Sequence, residues 1–149
     1  MSAPQLRTAT SEDTESIRVL LENNGLPTSD LISSKSQFIV ACDGEAIVAA
    51  GALQRFASSA LLRSVAVASP RRGTGLGRIL VEDLERIARA ARIKQLILLT
   101  ETAKPFFERQ GYRVIERHEV PQEVQGSEEF RSLCPASATC MAKTLAGAS

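Results

Sequence analysis

The chain has 149 residues, 44% hydrophobic and 23% charged, with a formal net charge of +1. That length suits one domain with a real core, and the near-zero charge excludes a general affinity for nucleic acid or anionic membrane, so any positive field must be local. No apolar run is long enough to span a bilayer, and no signal-like apolar core stands near the N-terminus. Three cysteines, Cys42, Cys134 and Cys140, make no disulfide framework, so the expected compartment is the cytoplasm.

In chain order, a short strand is expected over 6–9. Thr10 then caps a helix with Asp13 in its third position, and Ile17, Leu20 and Leu21 form its apolar stripe. Asn23, Asn24 and Gly25 end that helix ahead of Pro27. The polar stretch over 25–36 leaves room for a short helix over 30–33. Strands over 37–42 and 46–53 flank Asp43 and Gly44, a hairpin signal, and another strand covers 61–67. A long helix follows over 76–92, with Ile79, Leu80, Leu84, Ile87, Ala88 and Ala91 at helical spacing. A strand over 96–99 leads to a helix over 103–110, which Gly111 terminates. Strands over 112–116 and 138–143 close the chain, separated by a long polar excursion. With no internal repeat or linker, residues 1–149 read as a single α/β domain whose mixed, mostly antiparallel sheet is flanked by helices.

The segment from Val65 to Arg78 carries most of the chemistry. Val65, Ala66 and Val67 end a buried strand, Arg71-Arg72-Gly73-Thr74-Gly75 make a basic glycine-rich turn, and Leu76-Gly77-Arg78 open the long helix. Glycines there let the backbone approach a ligand, and the free N–H groups of a helix start favour an anion. Arg71, Arg72 and Arg78 make that anion a phosphate or pyrophosphate. A P-loop would need Lys and Ser/Thr after its last glycine, but Arg78 and Ile79 follow Gly77. The dinucleotide pattern G-x-G-x-x-G is one residue looser than the spacing here. Glu101 does supply an acid after the next strand, but about seventy residues beyond the turn leave little room for a doubly wound sheet and a substrate domain.

What remains, Arg72-x-x-Gly75-x-Gly77 between strand and helix, resembles the acyl-CoA signature of the GNAT N-acetyltransferases, Arg/Gln-x-x-Gly-x-Gly/Ala. A second segment, Ala103-Lys104-Pro105-Phe106-Phe107-Glu108-Arg109-Gln110-Gly111-Tyr112, is similar to the late helix of that family. The resemblance covers nearly the whole chain and implies strands that splay apart to form the acyl-CoA slot. It implies acetyl-CoA as co-substrate, no metal, a small-molecule amine as acceptor, and attack of that amine directly on the thioester.

Residue by residue, the resemblance puts the pyrophosphate on the main chain of Gly73, Thr74, Gly75, Leu76, Gly77 and Arg78, with Arg72 beside it. The main chain of Val65, Ala66 and Val67 would pair with the pantetheine arm, and a Val65 N–H would donate to the oxyanion. Thr102 and Phe107 would border the thioester, Thr102 standing also as an N-cap candidate. Where relatives carry a tyrosine that protonates the leaving thiolate, this chain has Phe107, which has no proton to give. Solvent or a hydroxyl of Thr100 or Thr102 is left for that task, and Tyr112 reads as packing.

Glu101 is the first candidate for the base, ahead of His118 and an ordered water. Arg55 and Arg63 are the candidates for gripping an acceptor carboxylate. The segment over 119–137 resembles glutamate N-acetyltransferases and the N-acetyltransferase-like proteins of arsenic-resistance operons, which implies a glutamate-like acceptor. Cys134 and Cys140 would suit a soft metalloid, although cytosolic cysteines are more commonly packing residues. A non-catalytic acyl-CoA-binding module and a protein acetyltransferase stand as alternatives, and a homodimer paired through the last strands is a further expectation.

Overall fold

A computed structural model describes residues 4–26, 28, 36–127, 130 and 137–145. The short helix expected over 30–33, and Cys134, lie outside the described residues.

The strands are β1 (Gln5–Thr8), β2 (Ser36–Asp43), β3 (Ala46–Phe56), β4 (Ser59–Val67), β5 (Gln95–Thr100), β6 (Arg113–Val114) and β7 (Thr139–Thr144). They form one sheet in the order β1-β2-β3-β4-β5-β7-β6, in which only the β4–β5 pairing is parallel. The helices are α1 (Thr14–Asn23), α2 (Leu76–Ala90), α3 (Lys104–Arg109) and α4 (Gln122–Gln125). One face of the sheet is covered by α2 and α3, where Leu80, Val81, Leu84 and Phe107 pack with Ile39, Leu53, Leu62 and Leu98. On the other face α1 covers Val40, Ala50 and Ala66, and Val120 and Val124 cover Leu61, Ile97 and Cys140. Gly51 sets how closely α2 approaches, since a Cβ there would stand 2.8 Å from Leu84 Cδ1.

Local chemistry explains most boundaries. Asp13 accepts from the Thr10 N–H at 2.8 Å and takes both guanidinium nitrogens of Arg7, tying the first helix to β1. The first turn is a 3-10 segment, Ser11–Asp13, ahead of α1. All three longer helices end in the same motif, in which the second residue past the cap donates back to the last turn: Leu26 N–H to Leu21 O, Ile93 N–H to Ala88 O and Tyr112 N–H to Phe107 O. Gly25 and Gly111 hold the left-handed position this requires, but in α2 it falls to Arg92, at φ 65. The long helix therefore stops at Ala90 rather than at Arg92.

Two turns depart from the sequence reading. β3 and β4 join through Ala57 and Ser58 alone, with Ala57 at φ 54 and no glycine or asparagine to mark the turn. The strand expected over 112–116 shrinks to the two residues of β6, leaving very little free edge for pairing with a second copy.

Candidate active site

β4 and β5 pair over three residues only, Ser59, Ala60 and Leu61 with Gln95, Leu96 and Ile97. Beyond them β5 keeps its register with β7 as far as Thr100, while β4 stays with β3. The divergence begins next to a bulge in β4. Ala52 pairs with Arg63 and Ala50 with Ala66, so Ser64 and Val65 together oppose Gly51, with Ser64 at φ 58. An extra residue of this kind bends its strand and increases the local twist.

The register also decides where the main chain points. Hydrogen-bonded pairs alternate along an antiparallel ladder. Ala68 N–H donates to Val48 O at 2.8 Å and Ala66 lies opposite Ala50, so the main-chain groups of Val67 and Val65 face away from β3 and into the gap. Their side chains pack against the core under α2, whereas Ala66 packs beneath α1.

The gap opens a cavity of about 960 Å³. Its walls are the chain over 62–67 and over 98–103, with Phe106 and Phe107 from α3 and Asn24 to Leu26 from the end of α1. α2 begins beside it. Its N-cap, Gly75, adopts φ 85, and its first main-chain bond runs from Ile79 N–H to Gly75 O at 3.1 Å. The N–H groups of Leu76, Gly77 and Arg78 therefore have no intrahelical acceptor and carry the positive end of the helix dipole. A Cβ on Gly77 would lie in ordinary contact with its neighbours, 3.4 Å from Phe106 Cζ and 3.6 Å from Val67 Cγ2, so the helix start, β4 and α3 meet at this position.

The three arginines of the turn are not equivalent. Arg71 pairs with Asp43, and Arg78 pairs with Glu82 at 3.2 Å along the helix. Arg72 alone lines the cavity, donating to Val67 O at 3.3 Å and to Asn24 Oδ1 at 2.5 Å. Open strand-type main chain in a cleft, continuous with a cationic helix start, fits an anionic pyrophosphate joined to an amide-bearing arm.

Glu101 and Thr102 are exposed and lie on the cavity wall, as does Phe107, only 6% exposed. It is Thr100, not Thr102, that supports the start of α3: its Oγ1 accepts from the Ala103 N–H at 3.0 Å. Arg63, 4% exposed, reaches the cavity and donates to Gln54 Oε1 at 3.0 Å. Arg55 follows Gln54 on β3, so alternation sends it to the opposite face, and it is absent from the cavity wall. The structure therefore separates the two arginines. His118 is exposed in a 3-10 turn away from the cavity. Tyr112 is buried and donates to Glu85 Oε2 at 2.8 Å. Burial, with the Glu85 carboxylate beside it, pushes its phenol far above the usual range. Ser64, Asn24 and Gln54 joined the site without any local signal in the sequence; each arrives through the bulge, a helix end or strand register.

Residues 34–114 match the family model described as an acetyltransferase (GNAT) domain. The chain is 33% identical over 91 residues to the uncharacterized N-acetyltransferase YjcF of Bacillus subtilis, a match spanning 60% of this chain and 65% of that relative. Rv2747 from Mycobacterium tuberculosis, solved in complex with CoA and NLQ, superimposes with a TM-score of 0.79 at 25% identity, covering 95% of this chain and 99% of that one. N-acetylglutamate synthase from Neisseria gonorrhoeae, complexed with coenzyme A and N-acetyl-glutamate, shares the fold at a TM-score of 0.82 and 20% identity over 97% of this chain and 36% of its own. A glycine-rich helix start beside splayed strands, and a family model that takes in both along with α3, lead to one assignment: the chain belongs to the GNAT family of acetyltransferases.

Proposed function

We propose that this chain transfers the acetyl group of acetyl-CoA to the primary amine of a small, carboxylate-bearing acceptor of the glutamate type. The observation that carries the reading is Arg63, a residue 4% exposed that lines the cavity where β4 leaves β5. A planar guanidinium on the cavity wall matches the two oxygens of a carboxylate. The likeness to a protein solved with CoA and NLQ supports the donor half.

Acetyl-CoA brings an activated carbonyl and a thiolate leaving group. In this reading the N–H groups over 73–78 hold the pyrophosphate with Arg72 beside them, and the main chain of Val65 and Val67 holds the pantetheine arm across Ala66. The Val65 N–H donates to the thioester oxygen. Glu101, at the rim, takes a proton from the acceptor's ammonium group so that the neutral amine attacks. Phe107 and Thr102 border the slot, and protonation of the leaving thiolate falls to solvent. Cys42 and Cys140 are free, which supports placing the enzyme in the cytoplasm. Burial pushes the Cys140 thiol up to about 11, which favours packing over a metalloid ligand.

The test follows thiol release from acetyl-CoA across a panel of amino acids, glutamate analogues and peptides. Arg63→Ala should raise the acceptor KM by roughly 30–100-fold, the worth of a charged hydrogen bond, and leave the acetyl-CoA KM unchanged. Arg86→Ala, exposed on α2, should change neither. Equal effects of the two substitutions would sink the carboxylate reading. CoA binding with no turnover on any amine would leave a non-catalytic acyl-CoA module, and turnover on peptides alone a protein acetyltransferase. Which glutamate-like compound turns over best separates a biosynthetic role from the detoxifying one that the likeness to arsenic-resistance proteins suggests.

A further inference from the structure

We propose that Glu85, buried on the sheet-facing side of α2, is a positioning residue that fixes the Phe107 ring and thereby limits the size of the acyl group the donor carries. The proposal rests on the acetyl-CoA reading of the cavity.

Glu85 is 4% exposed on a helix face otherwise made of Leu80, Val81, Leu84 and Ala88. A carboxylate in such surroundings is costly unless it is paired and hydrogen-bonded. It is both. Oε2 accepts from the Tyr112 hydroxyl at 2.8 Å, and both oxygens accept from Lys143 Nζ at 3.1 Å. Lys143 also donates to Gln110 O at 2.8 Å, at the end of α3. One carboxylate thus ties together α2, the end of α3 and β7. A leucine would fill the same space without specifying how those elements sit.

The tether leads to the cavity through aromatic rings. Tyr112 does not line the cavity, but its ring meets Phe107 edge to face, with centroids 5.5 Å apart and planes at 73°. Phe107 in turn meets Phe106 at 5.0 Å and 80°. Both phenylalanines line the cavity, and Phe106 stands over the start of α2, 3.4 Å from where a Cβ on Gly77 would be. Phe107 therefore stands between the Phe106 ring and a Tyr112 ring tethered to Glu85. It shares the cavity wall with the diverging ends of β4 and β5. A ring held in that place leaves room for a short acyl chain, and a ring free to tilt admits a longer one.

Binding of acetyl-, propionyl- and butyryl-CoA, measured by calorimetry without an acceptor, tests this. One methylene in an apolar slot is worth about 10-fold or more in discrimination. Wild type should prefer acetyl-CoA to butyryl-CoA by at least that factor. Glu85→Ala should erase most of the preference by tightening butyryl-CoA binding, with acetyl-CoA affinity changed less than about threefold. Glu85→Gln keeps the volume and an acceptor for the tyrosine hydroxyl and should retain most of the preference. If Glu85→Ala is recovered only unfolded, Tyr112→Phe cuts the same tether and should reduce the preference by about threefold, the worth of one hydrogen bond. A lower Tm with an unchanged acetyl-to-butyryl ratio in whichever of these variants folds would make Glu85 merely structural and overturn the proposal. Wild type that binds no CoA thioester would overturn the acetyl-CoA reading itself, and this proposal with it.

Discussion

Gly75→Ala separates the fold from the anion cradle. Gly75 caps α2 at φ 85 and ψ 0, a left-handed conformation that costs an L-residue about 1–2 kcal/mol. Reduced freedom of the unfolded chain offsets about 0.4–1 kcal/mol of this, leaving a net loss near 1 kcal/mol. For a chain of 149 residues that is a fall of about 2–4 °C in Tm. The effect on CoA should be larger than strain alone gives. In the proposed reading, a cap that relaxes out of the left-handed region turns the Leu76 and Gly77 N–H groups away from the pyrophosphate. Losing one charge-assisted hydrogen bond, about 1.5 kcal/mol, weakens binding roughly tenfold. At a CoA concentration 100 times the wild-type Kd, the ligand stabilises wild type by about 2.7 kcal/mol and the variant by about 1.3 kcal/mol less. Thermal unfolding with and without CoA should therefore show a ligand-induced shift smaller by about 3–5 °C. Gly44→Ala is the control, because Gly44 has φ 64 in the β2–β3 turn, with open space around its Cβ position. If Gly75→Ala lowers Tm but keeps the full CoA shift, or if Gly44→Ala loses the same shift, the helix start does not hold the anion.

Two further substitutions test the scaffold. Arg7 and the Thr10 N–H hold the Asp13 carboxyl well below the usual carboxylate range, so the fold favours its ionised form. That contribution is complete above the unfolded pKa of about 4 and is lost as pH falls below it. Urea unfolding of Asp13→Asn across the acid range should show a lower plateau near neutrality and a shallower acid decline; an unchanged slope would exclude Asp13 from the acid response. Arg92→Gly places glycine in the left-handed position after α2 and should raise stability by about 1 kcal/mol, read as a Tm increase of about 2–4 °C. A decrease would mean that the Arg92 side chain contributes more than its backbone costs.

What was legible in the sequence is what short-range chemistry controls. The capping Thr10, the Asp43-Gly44 turn, the amphipathic run from Leu76 and the glycine after α3 each act within a few residues, and each element formed where its signal stands. The β3–β4 turn at Ala57 and Ser58 gave no such signal, because two long paired strands impose a left-handed residue that the local sequence would not choose. Arg92 is a similar case at the end of α2, where packing of Ile93 onto the core fixes the stop.

The site divides along the same line. The proposed donor half rests on a contiguous segment, and contiguous residues reveal spacing, so the glycine-rich turn and the helix start behind it were readable from the order of residues, although the cap itself falls on Gly75. The acceptor half proposed above would be made by strand register, which a sequence does not display. Arg55 and Arg63 look equivalent in the sequence, one near the end of a strand and one early in the next. Pairing of Ala52 with Arg63 and of Gln54 with Leu61 puts Gln54, and not Arg55, on the face that Arg63 occupies. The bulge at Ser64 and Val65 then breaks the alternation, turning the main chain of Val65 and Val67 to the gap while their side chains stay in the core. One residue fewer in β4 would leave regular alternation across the sheet and reverse which side of it one arm of the strand presents. The buried guanidinium, the open main chain and the splay of β5 thus converge on the same few residues of β4. Acceptor choice in this chain should accordingly respond more to changes near that bulge than to any change in the glycine-rich turn.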